Sequence, residues 1–169
     1  MLIEAPACKA GAGSPGRSRL PPRPAVFAVS QNQIPRNFSI GEIASFSKTI
    51  TAADIETFAV LSGDHNPVHL DENYATRTRF GQRIGHGILT ASLISTVIGV
   101  HLPGPGAIYL SQEIKFLKPV FIGDTITASA SIVAFNKEKQ VLTLKTECVN
   151  QNGDVVLTGE AKVLYEPVN

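Results

Sequence analysis

Residues 63–71, GDHNPVHLD, bring two carboxylates, two histidines, an asparagine and a proline into one short stretch. Pro67 fixes its own φ and biases Asn66 toward an extended backbone, which predicts a stiff loop and excludes regular helix. A stiff loop can hold the Asp64 carboxylate and the His69 imidazole against one point. Such a pair can bind one water and exchange protons with it, which is general acid–base chemistry that needs no metal and no organic cofactor.

Two other interpretations of this loop stay open from the local sequence. His65 and His69 are four residues apart and aspartates flank them, which is a set of metal-ligand types. Pro67 removes the helix that would place both imidazoles on one face, so we predict no metal site. In the second interpretation, Asp64 or Asn66 closes an Asx-turn on backbone amides while the histidines lie at the surface.

The composition of the 169-residue chain predicts a single globular domain. Fifteen Lys and Arg nearly balance 14 Asp and Glu, so the net charge does not indicate nucleic acid or an anionic membrane as a partner. Cys8 and Cys148 lie in unlike contexts and make no disulfide framework, which favours a reducing compartment. The longest apolar run, residues 88–102, is interrupted by polar residues and is too short to span a bilayer, so it predicts a buried helix.

Residues 1–36 differ in character from the rest of the chain. Pro, Gly and Arg interrupt them throughout, so they lack the apolar core of a secretory signal. Their basic bias is typical of an organelle transit peptide, whereas their six prolines disfavour the amphipathic helix that such peptides form. We predict a disordered or processed extension over 1–36. The predicted location is the cytoplasm, or the mitochondrial matrix if the extension is a transit peptide.

The pattern after the extension predicts a strand, a short helix and a long apolar helix. Alternating apolar residues over 43–50 indicate the strand. Thr51 and Asp54 resemble a capping box that begins the short helix, and Gly63 can end it. Residues 85–100 have almost no polar face, so this second helix must be enclosed by other elements.

Four β-rich runs separated by turn signals follow that helix, at residues 107–119, 124–136, 140–151 and 154–166. The strongest turn signal is Asn152-Gly153, which predicts a hairpin in which both residues accept a positive φ. The most economical packing of these elements is a curled antiparallel sheet around the apolar helix. We therefore predict an α+β hot-dog fold for residues 37–169.

Three segments together resemble the MaoC-like family of (R)-specific enoyl-CoA hydratases and 3-hydroxyacyl-thioester dehydratases: GDHNPVHLD, FGQRIGHGILTASLIS and LPGPGAIYLSQEIKFLKPVFIGD. The first contains the family signature Asp-x-Asn-Pro-x-His without departure, and the resemblance extends from about Phe38 to the C-terminus. It implies that Asp64 and His69 are the catalytic dyad. It also implies that Asn66, in the signature, and Ser95, on the central helix, support the site.

The resemblance further implies that the backbone amide of Gly87 binds the thioester carbonyl. The start of a buried helix agrees with this role, because it offers unpaired N–H groups and the positive end of the helix dipole. Tight helix–sheet packing would explain the glycine equally well. Arg77, Arg79 and Arg83 could meet the phosphates of coenzyme A, although a solvated face also explains three arginines.

The function that the resemblance implies is reversible hydration of trans-2-enoyl-CoA to (R)-3-hydroxyacyl-CoA, without a cofactor, in fatty-acid or polyhydroxyalkanoate metabolism. One alternative is a 3-hydroxyacyl-thioester dehydratase that acts on acyl carrier protein in type II or mitochondrial fatty-acid synthesis. Another is a non-catalytic module that binds acyl thioesters. A five-stranded sheet leaves an exposed edge that hot-dog relatives pair, so we also predict a homodimer, with no nucleic-acid or membrane partner.

Overall fold

The computed structural model describes residues 37–166, which form one antiparallel sheet curled around a helix. The predictions for residues 1–36 lie outside the described residues. The elements in chain order are β1 (Ile43–Thr49), α1 (Ala52–Ser62), α2 (Pro67–Leu70), α3 (Glu72–Ala75), α4 (Gly87–Thr96), a π-helical turn (Val97–His101), β2 (Ala107–Phe116), β3 (Thr125–Asn136), β4 (Val141–Val149) and β5 (Val155–Tyr165).

The five strands lie in the order β1-β3-β4-β5-β2, and every neighbouring pair is antiparallel. Strands β1 and β2 are therefore the two edges of the sheet. Strands β3 and β4 alternate in burial, which turns one face of the sheet toward the helix. The buried residues of that face are Ile126, Ala128, Ala130, Ile132, Leu142, Leu144, Thr146 and Cys148. The predicted α+β hot-dog fold is confirmed.

The central helix α4 packs against the sheet with one face only. Its core side chains, with those of the π-helical turn, are Leu93, Ile94, Val97 and Ile98. The opposite face of α4 and of the π-helical turn is exposed among the described residues. It carries Ile88, Ser92, Ser95 and Gly99. The prediction of an enclosed helix therefore holds for half of its surface within one chain. No helix between residues 37 and 166 has the length and hydropathy needed to cross a membrane.

The predicted boundaries of α1 are confirmed in atomic detail. The Thr51 hydroxyl accepts the Asp54 N–H at 3.2 Å, and the Asp54 carboxylate accepts the Thr51 N–H at 2.9 Å, which is a complete capping box. Gly63 ends the helix with a φ of 78°, in the left-handed region that glycine enters without strain. The end of α1 at Gly63 therefore sets where the rest of the GDHNPVHLD stretch begins.

The prediction for the Asn152-Gly153 turn was wrong in its geometry. Gly153 has a φ of 80°, but Asn152 does not have a positive φ. The Asn150 side chain instead accepts the N–H groups of Asn152 and Asp154, at 3.0 and 2.9 Å. This side-chain turn replaces the two-residue hairpin, because Asn150 satisfies the backbone donors that a tighter turn would pair.

Candidate active site

The loop after α1 contains a short helix that the sequence analysis did not predict. Asn66 is the N-cap of α2, and its Oδ1 accepts the Val68 N–H at 3.3 Å. Pro67 occupies the first helical position, where a missing N–H costs nothing and the fixed φ already suits the helix. The exclusion of helix was wrong because it treated Pro67 as an interior residue. His69 consequently lies on a helical turn that Asn66 and Pro67 hold in place.

Asp64 lies on the extended segment between α1 and α2, and its side chain is exposed. Its Oδ1 accepts the Asn66 N–H at 3.2 Å, so the Asx-turn considered from the sequence is present. The turn does not exclude a role in chemistry, because it uses one oxygen of the carboxylate and leaves the other to bind water. The turn also fixes the direction in which that second oxygen points.

His69 is buried, with 8% of its surface exposed. Its Nδ1 donates to the Ile84 carbonyl at 2.9 Å, so the neutral ring carries its lone pair on Nε2. Burial lowers the pKa of His69 below the ordinary 6.5, and the neighbouring His86 ring lowers it further, whereas the Ile84 carbonyl and the Asp64 carboxylate act in the opposite direction. His69 is therefore neutral near pH 7 and can accept a proton.

The distance between the two predicted catalytic groups suits one bridging water. A carboxylate oxygen of Asp64 and an imidazole nitrogen of His69 lie within 4.8 Å of each other. Two hydrogen bonds of about 2.8 Å that meet at a tetrahedral water span about 4.6 Å. The structure thus brings the predicted pair close enough for one water to bridge them.

His86 is the functional candidate that the sequence analysis missed. It is 2% exposed, and its Nε2 donates to the Asp64 carbonyl at 3.0 Å. Its ring lies 3.9 Å from the His69 ring, centroid to centroid, and 5.0 Å from Phe58. The sequence analysis assigned no role to the His86 side chain. The signal that could have found it is a lone histidine in an otherwise apolar segment, directly before the predicted carbonyl-binding glycine.

A cavity of about 380 Å³ opens beside His69 and the start of α4. Its lining is mostly apolar and includes Ile84, Gly87, Ile88, Phe116, Val120 and Val156. The N-cap of α4, His86, makes no side-chain capping bond, so the first N–H groups of α4 can bind an acceptor in the cavity. A Cβ at Gly87 would come within 2.8 Å of the Phe116 ring, so a larger residue here would require the exposed Phe116 side chain to shift.

Comparison with known proteins agrees with this geometry. Residues 38–152 match the family described as "MaoC like domain". The chain belongs to the MaoC-like family. The matched range includes Asp64, His69, His86 and Gly87.

Relatives of this MaoC-like chain carry hydratase and dehydratase names. An (R)-specific enoyl-CoA hydratase of Rhodospirillum rubrum is 50% identical over 124 residues, which are 73% of this chain and 85% of that protein. The solved (R)-hydratase from A. caviae, involved in PHA biosynthesis, has a TM-score of 0.75 at 43% identity and covers 78% of this chain and 99% of its own. A mitochondrial 3-hydroxyacyl-[acyl-carrier-protein] dehydratase of Arabidopsis thaliana is 34% identical, over 74% of this chain and 76% of that protein.

Ser95 is the predicted MaoC-like site residue that the structure does not bring to the dyad within one chain. It lies on the exposed face of α4, two turns beyond Gly87, and does not line the cavity beside His69. Its supporting role stays a prediction. Asn66 lies in the loop itself and acts on the backbone, as the N-cap of the turn that carries His69.

The three arginines that could meet the phosphates of coenzyme A lie in different environments in this MaoC-like chain. Arg83 is turned inward, and its Nε donates to the His69 carbonyl at 2.7 Å, so it braces the helical turn of the dyad. Its guanidinium also lies 3.7 Å from the Glu56 carboxylate. Arg79 lines the cavity, where it can reach a charged group of a bound ligand. Arg77 is exposed and lies outside the cavity lining.

Proposed function

We propose that the protein adds water reversibly to a trans-2-enoyl-CoA and gives the (R)-3-hydroxyacyl-CoA, in fatty-acid or polyhydroxyalkanoate metabolism. The observation that carries this proposal is the position of Asp64 and His69, within 4.8 Å of each other and beside an apolar cavity whose wall includes Gly87. The names of the bacterial relatives at 50% and 44% identity support the same reaction.

In the proposed mechanism, Asp64 and His69 bind one water between them. As the water oxygen forms its bond to C3 of the enoyl group, the dyad takes a proton from that water, and a proton is delivered to C2. Negative charge develops on the thioester oxygen during this step, and the Gly87 N–H at the start of α4 stabilises it. The apolar wall of the cavity takes the acyl chain.

The assay that tests the reaction uses crotonyl-CoA. We expect the absorbance of the conjugated enone to fall when the protein is added, and the product to be oxidised by an (R)-specific 3-hydroxyacyl-CoA dehydrogenase. Oxidation only by an (S)-specific dehydrogenase would contradict the proposed stereochemistry. Binding of crotonyl-CoA without turnover would identify a non-catalytic acyl-thioester-binding module.

A second candidate is the dehydratase direction on an acyl carrier protein. The plant mitochondrial relative named for that reaction is 34% identical to this chain, which supports this second candidate. The ratio of kcat/KM for crotonyl-CoA to that for crotonyl-acyl carrier protein separates the two, and we expect it to favour coenzyme A. The cellular location, cytoplasm or mitochondrial matrix, stays a prediction because it depends on residues 1–36.

The pH dependence of the proposed reaction follows from the state of His69. We expect kcat/KM to be lost at acid pH with an apparent pKa below 6.5, because burial lowers the pKa of this imidazole. The neutral ring is present above that pKa and can accept a proton, whereas protonation at lower pH occupies its lone pair. A pH profile of crotonyl-CoA hydration measures this. An acid limb above 6.5 would contradict the prediction.

Removal of metal ions is expected to leave the proposed activity unchanged. Asp64, His69 and His86 each offer a ligand atom, and these atoms lie within 4.8 Å of one another, so this cluster is the place where a metal would bind. The proposed chemistry uses proton transfers that need no Lewis acid. The measurement is kcat before and after dialysis against a chelator, with the metal content of the protein determined in parallel. A loss of kcat that Zn²⁺ restores would contradict the prediction.

The predicted homodimer is proposed to form through the edge strand β2. This strand carries exposed apolar side chains at Ile108, Tyr109 and Leu110, of which Leu110 is 54% exposed. An unpaired edge with apolar side chains favours pairing with a second copy. We expect sedimentation at micromolar concentration to give twice the mass of one chain, and Leu110→Lys to shift the protein toward monomer.

Val133→Lys is the matched control for this interface. Both Leu110 and Val133 lie at irregular positions of their strands, and Val133 is also exposed, at 45%. Because β3 is paired on both sides, we expect Val133→Lys to remain dimeric. A monomeric wild-type protein, or equal effects of the two substitutions, would refute the β2 interface.

A further inference from the structure

His86 connects the three parts of the proposed active site. Its Nε2 donates to the carbonyl of Asp64, and its ring packs against the ring of His69 at 3.9 Å with an interplanar angle of 33°. It is also the residue directly before Gly87, at the N-cap of α4. A single side chain therefore contacts both members of the dyad and sits beside the amide that would bind the thioester oxygen.

The hydrogen bond of His86 defines the form of its ring. A carbonyl oxygen only accepts, so Nε2 carries the hydrogen that reaches Asp64, and the neutral ring has its lone pair on Nδ1. This Nδ1 is buried, and no hydrogen-bond partner for it is found among residues 37–166.

The contact between the two rings opposes protonation of His69. Two imidazolium ions at this separation would repel each other, so the pair resists a second positive charge. The groups that face His69 are the Asp64 carboxylate, the His86 ring, the Arg83 guanidinium at the His69 carbonyl, and Arg79 and Lys118 in the cavity lining. The Asp64 carboxylate, which is exposed to solvent, favours the charged ring, and so does the Ile84 carbonyl that accepts the Nδ1–H of His69.

We propose that His86 is a positioning residue, which holds Asp64 through its backbone carbonyl and keeps the stacked His69 in the neutral form that can accept a proton. The proposal rests on the proposed function, because it assigns a purpose to the neutral His69. It gives His86 two separable tasks. The Nε2–H fixes where the Asp64 carboxylate lies, and the ring sets the pH range over which His69 can act.

Two substitutions of His86 separate these tasks. His86→Gln places an amide N–H near the position of Nε2, so it can still donate to the Asp64 carbonyl, but it removes the ring. His86→Phe keeps a ring against His69 but removes the donor. We expect His86→Phe to lower kcat on crotonyl-CoA about 10- to 100-fold, the range typical for loss of a group that orients a functional side chain. We expect His86→Gln to keep kcat within about threefold of wild type.

Both substitutions remove the second imidazole, so both are expected to move the acid limb of kcat/KM to higher pH, toward 6.5. The same shift is expected in an NMR titration of the His69 ring. His65→Gln is the matched control, because His65 is exposed on the same loop and its Nδ1 only contacts the Gly63 carbonyl at 2.9 Å. This control should change neither kcat nor the His69 titration.

One outcome overturns the proposal. If both variants melt at a lower temperature but keep the kcat of wild type and the acid limb of its kcat/KM profile, His86 is a structural residue. The NMR titration needs no turnover, so it tests the effect on His69 even if crotonyl-CoA proves not to be a substrate. A wild-type protein without turnover but with the expected shift of His69 in the variants would refute the proposed function alone. If one variant does not fold, the NMR titration of His69 in the other variant decides whether the His86 imidazole affects His69.

Discussion

Asp64→Asn and His69→Ala are each expected to lower kcat on crotonyl-CoA by on the order of 10² to 10⁴. Asparagine preserves the size of Asp64 and can still accept the Asn66 N–H that closes the Asx-turn, but it cannot take a proton from water. Alanine at position 69 removes the buried imidazole whose Nδ1 is held by the Ile84 carbonyl. Steady-state kinetics measure both effects, and substrate binding should survive in both variants.

The combination of variants distinguishes catalysis from binding. Because the two groups are proposed to act on the same water, the double variant should be little worse than the more damaged single variant. Ser95→Ala should cost less than either, since Ser95 lies on the exposed face of α4 and outside the cavity lining. His65→Ala is the control and should be nearly silent. If Asp64→Asn and His69→Ala raise KM and leave kcat unchanged, the loop binds the substrate and does not catalyse.

The parts of the fold that the sequence predicted are those encoded by neighbouring residues. Thr51 and Asp54 form a capping box from side chains three residues apart, and Gly63 ends α1 with its own φ. The alternation in the strand runs likewise follows from the two faces of a single strand. Each of these patterns can be read without knowing what packs against it, so the order of elements and the hot-dog architecture followed.

The parts that the sequence did not predict depend on distant contacts or on a choice between two local conformations. Pro67 disfavours a helix interior and favours a helix start, and the sequence analysis chose the first. The predicted hairpin between β4 and β5 is present, but the Asn150 side chain closes its turn in place of a two-residue Asn152-Gly153 turn. His86 is 22 residues from Asp64, and only the packing of α4 beside the loop brings its Nε2 to the Asp64 carbonyl. Periodicity contains no information about such a contact.

The dyad of Asp64 and His69 was predictable from the sequence only in part. Its members lie five residues apart in the signature, so the sequence identified them together. The protonation state of His69, however, depends on groups that come from elsewhere in the chain. The Ile84 carbonyl selects the tautomer of His69, and Arg83 holds the helical turn by its bond to the His69 carbonyl. The chemistry was therefore predictable from the motif, whereas the reason that His69 is neutral was not.

Gly87→Ala is expected to lower kcat/KM by on the order of 10², because a displacement of about 1 Å at the reacting group costs about that much. The new methyl would come within 2.8 Å of the Phe116 ring and would stand beside the N–H that is proposed to bind the thioester oxygen. The backbone donor itself remains. Crotonyl-CoA kinetics and thermal unfolding measure the two consequences separately. Gly99→Ala, on the exposed face of the π-helical turn after α4, is the control and should keep wild-type activity, because an added Cβ there meets nothing within 4 Å outside its own helix.

The double variant Gly87→Ala with Phe116→Leu decides between the two explanations of this glycine that the sequence left equal. Leucine is smaller at the point of contact and relieves the clash, so the melting temperature should recover toward that of Phe116→Leu alone. If Gly87 is needed for close approach of the thioester, kcat/KM should stay low, because the methyl still blocks the N–H. Recovery of both stability and kcat/KM to the level of Phe116→Leu would show that Gly87 serves packing only, and the thioester oxygen would then need another donor from the first turn of α4.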